Sequence, residues 1–401
     1  MIQNIKKVVI LMNRIIIIGS GPSGLMCALN AKTKDNEVIV LEKKEAVGKK
    51  ILVTGSGKCN YWNDDQDIRH FHSRSSNELD KIINEKNLKE TKELLDTMIV
   101  PYVRDGYYYP YSREAMSVRD ILVAKCNDAG IVLDRNYEVG KVEYRDNMFF
   151  IDESLICDKL VIATGSMAYY QENNDSGYNI ARQFNHEIIE PLPSLVQLTS
   201  DYKYLKDWDG VRSFAKVSLY ENNDKLKEET GEVMLTSYGV SGICVFNLSN
   251  VANILLKDNK NVSVHINFLP DIDIDKMYKR KDSIGIVLKS FLNSKLVRLF
   301  LRLCKIDEAK KAKELNDKEK DTLISILTDF KVNITGTRGF KDAQTTSGGI
   351  SLKDINLENM ESKLVKNLYF AGEVVDIDGD CGGYNLTFAF VSGLVVGKSV
   401  R

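Results

Sequence analysis

The sequence has no CxxC pair, no long apolar run, six prolines and four histidines, and almost no net charge. Each scarcity excludes something. The seven cysteines (Cys27, Cys59, Cys126, Cys157, Cys244, Cys304 and Cys381) are odd in number and scattered. They suggest neither a disulfide framework nor a metal site, and they fit a reducing cytoplasm. No run approaches the roughly 18–20 apolar residues of a membrane span. A formal net charge of −1 gives no electrostatic case for a nucleic-acid partner. His70, His72, His186 and His265 read as isolated, so no catalytic acid or base is assigned. The N-terminal "MIQNIKKVVILMNRIIIIGSG" starts as a secretory signal does. Asn13 and Arg14 interrupt it, no small-residue cleavage pattern follows, and the second apolar run leads directly into glycines. Met12 reads as an alternative start.

What remains is an ordinary globular composition, 43% hydrophobic and 28% charged, over 401 residues. That is more than one core usually supports. Arg14–Ile18 is a short β-branched run, Ser23–Ala31 has helical character, and Glu37–Leu41 is a second buried strand. This strand–Gly-loop–helix–strand order predicts a βαβ unit in a parallel sheet covered on both faces. Residues 77–98 and Ser117–Ala129 predict amphipathic helices, the second ended by Gly130. Ile131–Val142, Met148–Ile151 and Lys159–Ala163 predict strands. Pro191 and Pro193 mark a boundary. From there to about Val245 the pattern is short alternating strands, Val262–Phe268 is another, and 273–330 is helical and charged. The expected fold class is α/β: a nucleotide-binding domain split in sequence into 1–190 and 336–401. The insert at 191–335 is β-rich over 191–270 and helical over 271–330.

Gly19-Ser20-Gly21-Pro22-Ser23-Gly24 follows a buried strand and opens a helix, the context a GxGxxG dinucleotide fingerprint needs. Gly19 permits the tight turn, Gly21 lets the backbone approach a pyrophosphate, and Gly24 allows close helix–strand packing. Eighteen residues beyond Gly24 the second strand ends in Glu42, beside Lys43. A carboxylate there accepts bonds from ribose hydroxyls and repels a 2′-phosphate, so FAD or NAD is expected rather than NADP.

"GKKILVTGSGKCN", Gly48–Asn60, first suggests a phosphate loop. A GxxxxGK[ST] motif would need glycine where Leu52 stands and Ser or Thr where Cys59 stands. A redox CxxxxC pair would need a second cysteine, but the next is Cys126. What is left is a loop of small residues and lysines beside a cofactor. Lys50, Ile51, Gly55, Gly57, Lys58, Cys59 and Asn60 are its candidate contacts, with Cys59 packed near the ring. Val139 is placed at the same site. "LVIATG" returns a strand toward the nucleotide at Ala163, Thr164 and Gly165. In "LYFAGEVVDIDGDCGGYN", Gly372 and Glu373 end a strand, with Glu373 placed to bond ribityl hydroxyls. Gly383, Tyr384, Asn385 and Leu386 open a helix whose positive end would stabilise charge on the N1–O2 edge of a reduced flavin.

These stretches, with "VIATGSMAYY", "GEVMLTSYGVSGICVFNLS" and "AQTTSGGISLKDINLENMESK", run in family order across nearly the whole chain. The sequence resembles the bacterial FAD-binding flavoproteins of the BaiN and aminoacetone oxidase type. The resemblance implies an FAD-binding Rossmann-like domain of the glutathione-reductase type, interrupted by a β-barrel-like insert with a helical part. It departs from the family in the usual glycine pattern of the first loop, in Lys58 for an arginine, in Ser166 for a glycine, and in "NNDSGY" for a Gly-rich turn. Lysine keeps the charge at 58 and loses the bidentate fork.

The implied function is an FAD-dependent oxidoreductase. In one form NAD(P)H is a transient electron donor, docking without a second fingerprint, and flavin N5 passes hydride to a small or steroid-like organic substrate. Two alternatives stay open: an FAD-dependent amine oxidase producing hydrogen peroxide, and a non-catalytic flavin-binding protein. A small-molecule substrate is the expected partner, with no nucleic acid, no membrane and no metal. His186 reads as structural, and the Tyr107–Pro110 cluster as packing.

Overall fold

The computed structural model describes residues 13–169, 175–270 and 272–401. The N-terminal stretch to Met12 and the Asn173-Asn174 pair of "NNDSGY" lie outside the described residues. The chain divides into two compact units. One takes in residues 13–167, 175–191 and Ser347–Arg401, and the other residues 168–169 and Leu192–Thr346. No helix among the described residues is long and apolar enough to cross a membrane.

The first unit is built on a sheet with five adjacent parallel strands. Strand β1 (Asn13–Ile18) lies between β2 (Asn36–Glu42) and the strand Lys159–Ile162. Val132–Arg135 flanks β2, and Leu368–Phe370 flanks Lys159–Ile162. Two short antiparallel strands, Glu361–Ser362 and Ile355–Asn356, complete one edge. Four consecutive isoleucines form β1 because a strand covered on both faces tolerates no polar side chain on either. Ile15, Ile16 and Ile17 are fully buried. Pro22 sits at the start of helix α1 (Pro22–Ala31), where its missing N–H costs nothing. The last helix of the chain, Tyr384–Ser399, packs on α1 at close range. A Cβ on Gly393 would fall 2.4 Å from the Ser23 carbonyl oxygen. Strands from residues 13, 159 and 368 are thus hydrogen-bonded neighbours within the first unit.

In the second unit a long hairpin, Val211–Glu221 with Asp224–Thr236, turns at Asn222-Asn223. Val211–Glu221 also pairs with Val262–Asn267. The segment 330–337 pairs with Val262–Asn267 through Phe330–Ile334 and with Leu198–Thr199 through Gly336–Thr337. One element departs from the strand pattern expected here. Ile243–Lys257 is a helix. Its buried side chains, Cys244, Val245, Leu248, Ser249, Ala252 and Asn253, recur at helical spacing, and that period prevails over local strand character. The charged stretch forms short helices, among them Ser294–Cys304 and Asp317–Thr328. The second opens with a capping box between Asn316 and Glu319.

Candidate FAD site

The carboxyl ends of the parallel strands carry the fingerprint. Gly19 donates its N–H to the Leu41 carbonyl at 2.8 Å, and its φ is +105°. A Cβ at Gly24 would stand 2.0 Å from the Gly19 carbonyl oxygen, so the loop closes only because Gly24 has no side chain. Gly21 is the opposite case. A Cβ there would meet nothing within 4 Å, and no side chain caps α1. Open space over an uncapped helix N-terminus is what a pyrophosphate requires.

Glu42 stands at the other side of this loop. Its carboxylate accepts from the Ser20 N–H at 3.2 Å, from the Ser20 hydroxyl, and from the Lys44 N–H at 2.8 Å. The Tyr137 N–H donates to the Glu42 carbonyl at 3.0 Å, which brings the segment containing the buried Val139 alongside Glu42 and Lys43.

The loop Gly48–Asn60 touches the segments of Ser20, Gly165, Glu373 and Gly383. The Gly48 N–H donates to Ser20 Oγ at 3.3 Å. Lys50 Nζ reaches Glu373 Oε2 at 2.8 Å and Ser166 Oγ at 3.2 Å. The Ser166 hydroxyl also lies 3.2 Å from Glu373 Oε2. Asn60 Oδ1 would lie 3.2 Å from a Cβ on Gly383. The loop is a run of 3₁₀ turns broken at Thr54, Gly55 and Ser56. Ile51 is buried beneath it, and Lys58 is exposed. Gly165 sits 3.6 Å from Lys50 Nζ, measured from its would-be Cβ, and the Ala163 N–H pairs with the Ile18 carbonyl. Thr164 lies against Gly177, whose Cβ would clash with its hydroxyl.

The C-terminal loop closes the ring of segments. The Gly372 N–H donates to Ser392 Oγ at 2.9 Å. Gly383, at φ +99°, precedes the helix that starts at Tyr384, and Leu386 is buried in its first turn. Asn385 serves the loop itself, accepting from the Gly379 N–H and donating to the Gly379 carbonyl, both at 2.8 Å. Two buried polar atoms flank this helix start with no partner among the described residues, Asn60 Oδ1 and Thr387 Oγ1. Orphaned atoms at such a place fit a polar cofactor edge, and with the open face at Gly21 the residues present fit FAD.

The histidines are not all isolated. The pairing of Phe71–His72 with Asp378–Gly379 brings His70 and His72 to one carboxylate, Asp380. His186 is buried, with Nε2 2.8 Å from Ser362 Oγ, and burial holds it below the usual imidazole range. His265 Nδ1 is 2.7 Å from Asp329 Oδ1. Ser166 is a further residue that the sequence reading passed over, registering there only a lost glycine.

Burial pushes the Cys59 thiol up to about 11, so it is no thiolate at neutral pH. Its backbone holds φ +55°, and its N–H donates to the Thr54 carbonyl at 3.0 Å. Cys59→Ser is therefore expected to retain FAD and turnover, at a stability cost of about 1–2 kcal/mol for the buried hydroxyl. FAD content and steady-state rate check this, and lost turnover with FAD still bound would make the thiol catalytic.

The family model of the HI0933-like protein Rossmann domain matches residues 13–399. The chain belongs to this family. Within the HI0933-like family it is 31% identical over 404 residues to the 3-dehydro-bile acid delta(4,6)-reductase of Clostridium scindens, across 97% of this chain and 99% of that protein. It is 27% identical over 390 residues to the ribosomal RNA dihydrouridine synthase of Escherichia coli, across 94% of this chain and 95% of that one. Among solved structures it is similar to a 3-ketosteroid-delta4-(5alpha)-dehydrogenase from Rhodococcus jostii RHA1, at 12% identity and a TM-score of 0.49 over 98% of each chain. This HI0933-like protein is an FAD-dependent oxidoreductase with a Rossmann-type nucleotide-binding unit in a mixed α/β chain.

Proposed function

We propose that the protein is a reductase that uses NAD(P)H to reduce a carbon–carbon double bond conjugated to a carbonyl, in a small or steroid-like substrate. The observation that carries this reading is the convergence of Ser20, Ser166, Glu373 and Gly383 on one loop, Gly48–Asn60, through Gly48, Lys50 and Asn60. That loop lies between the pyrophosphate end and the helix start that would face the reducible ring. Both relatives have names that describe the addition of two hydrogens to such a bond. A formal net charge of −1 gives no electrostatic case for RNA as the substrate.

When bound, FAD supplies a two-electron carrier that accepts one hydride and gives another up. The chain's own residues do the rest. The first turn of α1 and the open face of Gly21 hold the pyrophosphate. Glu42, steadied by Ser20, receives the adenosine ribose and disfavours a 2′-phosphate. Glu373 would hold the ribityl hydroxyls, its carboxylate fixed by Lys50 and Ser166. The N–H groups opening Tyr384–Ser399 offset negative charge where it accumulates at the ring. The roles assigned to Lys43, Ile51, Lys58, Val139 and Leu386 as cofactor contacts belong to the same proposal.

Anaerobic mixing with NADH and with NADPH tests the reading. The expected result is rapid bleaching of the flavin absorbance by one nicotinamide, and its recovery on adding a 3-keto-Δ4 steroid. No bleaching, with amine-dependent peroxide formation in air, would replace the reductase by an amine oxidase.

A further inference from the structure

His70 has a carboxylate at each ring nitrogen. Asp380 Oδ2 lies 3.0 Å from Nδ1, and Asp65 Oδ2 lies 3.2 Å from Nε2. A neutral imidazole donates from one nitrogen only, so the cation is the form that satisfies both contacts. Asp380 Oδ1 is in turn 2.9 Å from His72 Nε2. His70 ends the 3₁₀ turn Ile68–His70 that leads into the strand Phe71–His72, and the pairing of that strand with Asp378–Gly379 brings Asp380 beside both histidines. The Asp380 N–H donates to the His70 carbonyl at 2.9 Å and fixes that register.

The Tyr384 ring lies nearly parallel on the His70 imidazole, with centroids 4.4 Å apart and planes at 17°. Phe71 meets the same tyrosine edge-on at 5.6 Å. Tyr384 is the first residue of the last helix, and Asp380 stands three residues before Gly383, so the His70 cluster grips the helix start from both sides. The turn between them is tight. A Cβ on Gly382 would fall 3.0 Å from the Tyr384 ring and 3.2 Å from the Tyr107 ring.

We propose that His70, carried as an imidazolium between Asp65 and Asp380 and stacked on Tyr384, is a positioning residue. It holds the Gly382–Gly383 turn so that the first N–H groups of the last helix face the reducible edge of the cofactor, and its charge adds to theirs. The proposal rests on the flavin reading above. The charged and titratable groups around His70 are Asp65, Asp67, Arg69 and His72 on its own stretch, Asp380 across the strand pair, and the Tyr384 phenol stacked on its ring. Tyr107 stands beside Tyr384, and the Cys381 thiol beside Asp380. Burial opposes the charge, and the hydrogen bonds to Asp380 and Asp65 outweigh it, holding His70 above the usual imidazole range. With a raised folded value, the clamp is complete below the ordinary imidazole pKa of about 6.5. It is lost as pH rises through the folded value.

With four histidines in the chain, ¹³C-imidazole labelling and NMR resolve each one in the FAD-free protein. One resonance, missing in His70→Gln, is expected to titrate above the ordinary range and to fall in Asp380→Asn. In the FAD-bound protein the preference for reduced over oxidised flavin is then compared between wild type and His70→Gln across pH. The expected difference is roughly threefold to tenfold below that titration, up to about 30 mV for a two-electron couple, and vanishes above it. A His70 resonance titrating at or below the ordinary value, or a variant whose flavin preference tracks the wild type at every pH, overturns the proposal. Wild-type protein that binds no FAD overturns the flavin reading and the proposal with it, whatever the NMR titration gives. If His70→Gln does not fold, Asp380→Asn and the wild-type pH series carry the same comparison.

Discussion

Replacing Gly21 by valine is expected to yield an FAD-free protein that melts close to the wild type but holds FAD at least about 100-fold more weakly. The new side chain meets no protein atom, since a Cβ there has nothing within 4 Å. Gly21 already holds φ −69° and ψ −177°, which any residue adopts. The cost to the fold is that of a poorer helix cap, about 1 kcal/mol or less. The cost to binding is larger, because the added methyls occupy the space in which phosphate oxygens reach the first N–H groups of α1. Each charge-assisted hydrogen bond lost is worth about 1.5–3 kcal/mol, so losing two gives the expected factor or more. Gly24→Val reverses the pattern. Its Cβ would press on the Gly19 carbonyl at 2.0 Å, backbone against side chain with nothing flexible to yield. A loss of about 3 kcal/mol is expected, seen as a melting point lower by roughly 6–12 °C even without FAD. Melting curves of both FAD-free variants and FAD fluorescence titrations check the pair. A Gly21→Val protein with wild-type affinity would place the pyrophosphate elsewhere.

The contrast also explains what was legible in the sequence. The β1–α1–β2 unit was readable because its signals are local: an apolar β-branched run, glycines at fixed spacing, and an acidic residue at the end of the next strand. The helices Glu85–Asp96 and Ala115–Asp128 declare themselves by period. Two-residue strands carry no period. The pairing of Phe71–His72 with Asp378–Gly379 is therefore invisible in the chain, and with it the meeting of His70, His72 and Asp380, some 310 residues apart. Asn385 was readable as a residue of the site but not in its contacts, because its amide serves Gly379. Ser166 stood out only as a missing glycine. Its role depends on Lys50, 116 residues earlier, and Glu373, 207 residues later. The helix Ile243–Lys257 was hidden by its neighbours, since the strand pattern before it and the strand after it invited a continuous reading.

Glu373 is where that long-range assembly has its largest expected consequence. Its carboxylate and the Lys50 ammonium form an ion pair at 2.8 Å, with side chains only 15% and 19% exposed, and Ser166 lies within hydrogen-bond reach of both. Glu373→Ala removes the anion and leaves the lysine charge largely covered and under-compensated, which is costlier than never having the pair. A destabilisation of about 3 kcal/mol is expected, at the low end for a broken buried pair because neither group is fully enclosed. FAD affinity is expected to fall by about 10–100-fold through the lost ribityl partner. Lys50→Met is also expected to weaken FAD, through the carboxylate it orients. In that case the double variant Lys50→Met, Glu373→Ala loses less than the two single losses added together, because each removes what the other depends on. A double-mutant cycle on melting temperature and on FAD affinity measures the coupling. Additive losses would mean that Lys50 and Glu373 act on the cofactor independently, and the loop Gly48–Asn60 would then be a lid over the site rather than the residue set that aligns it.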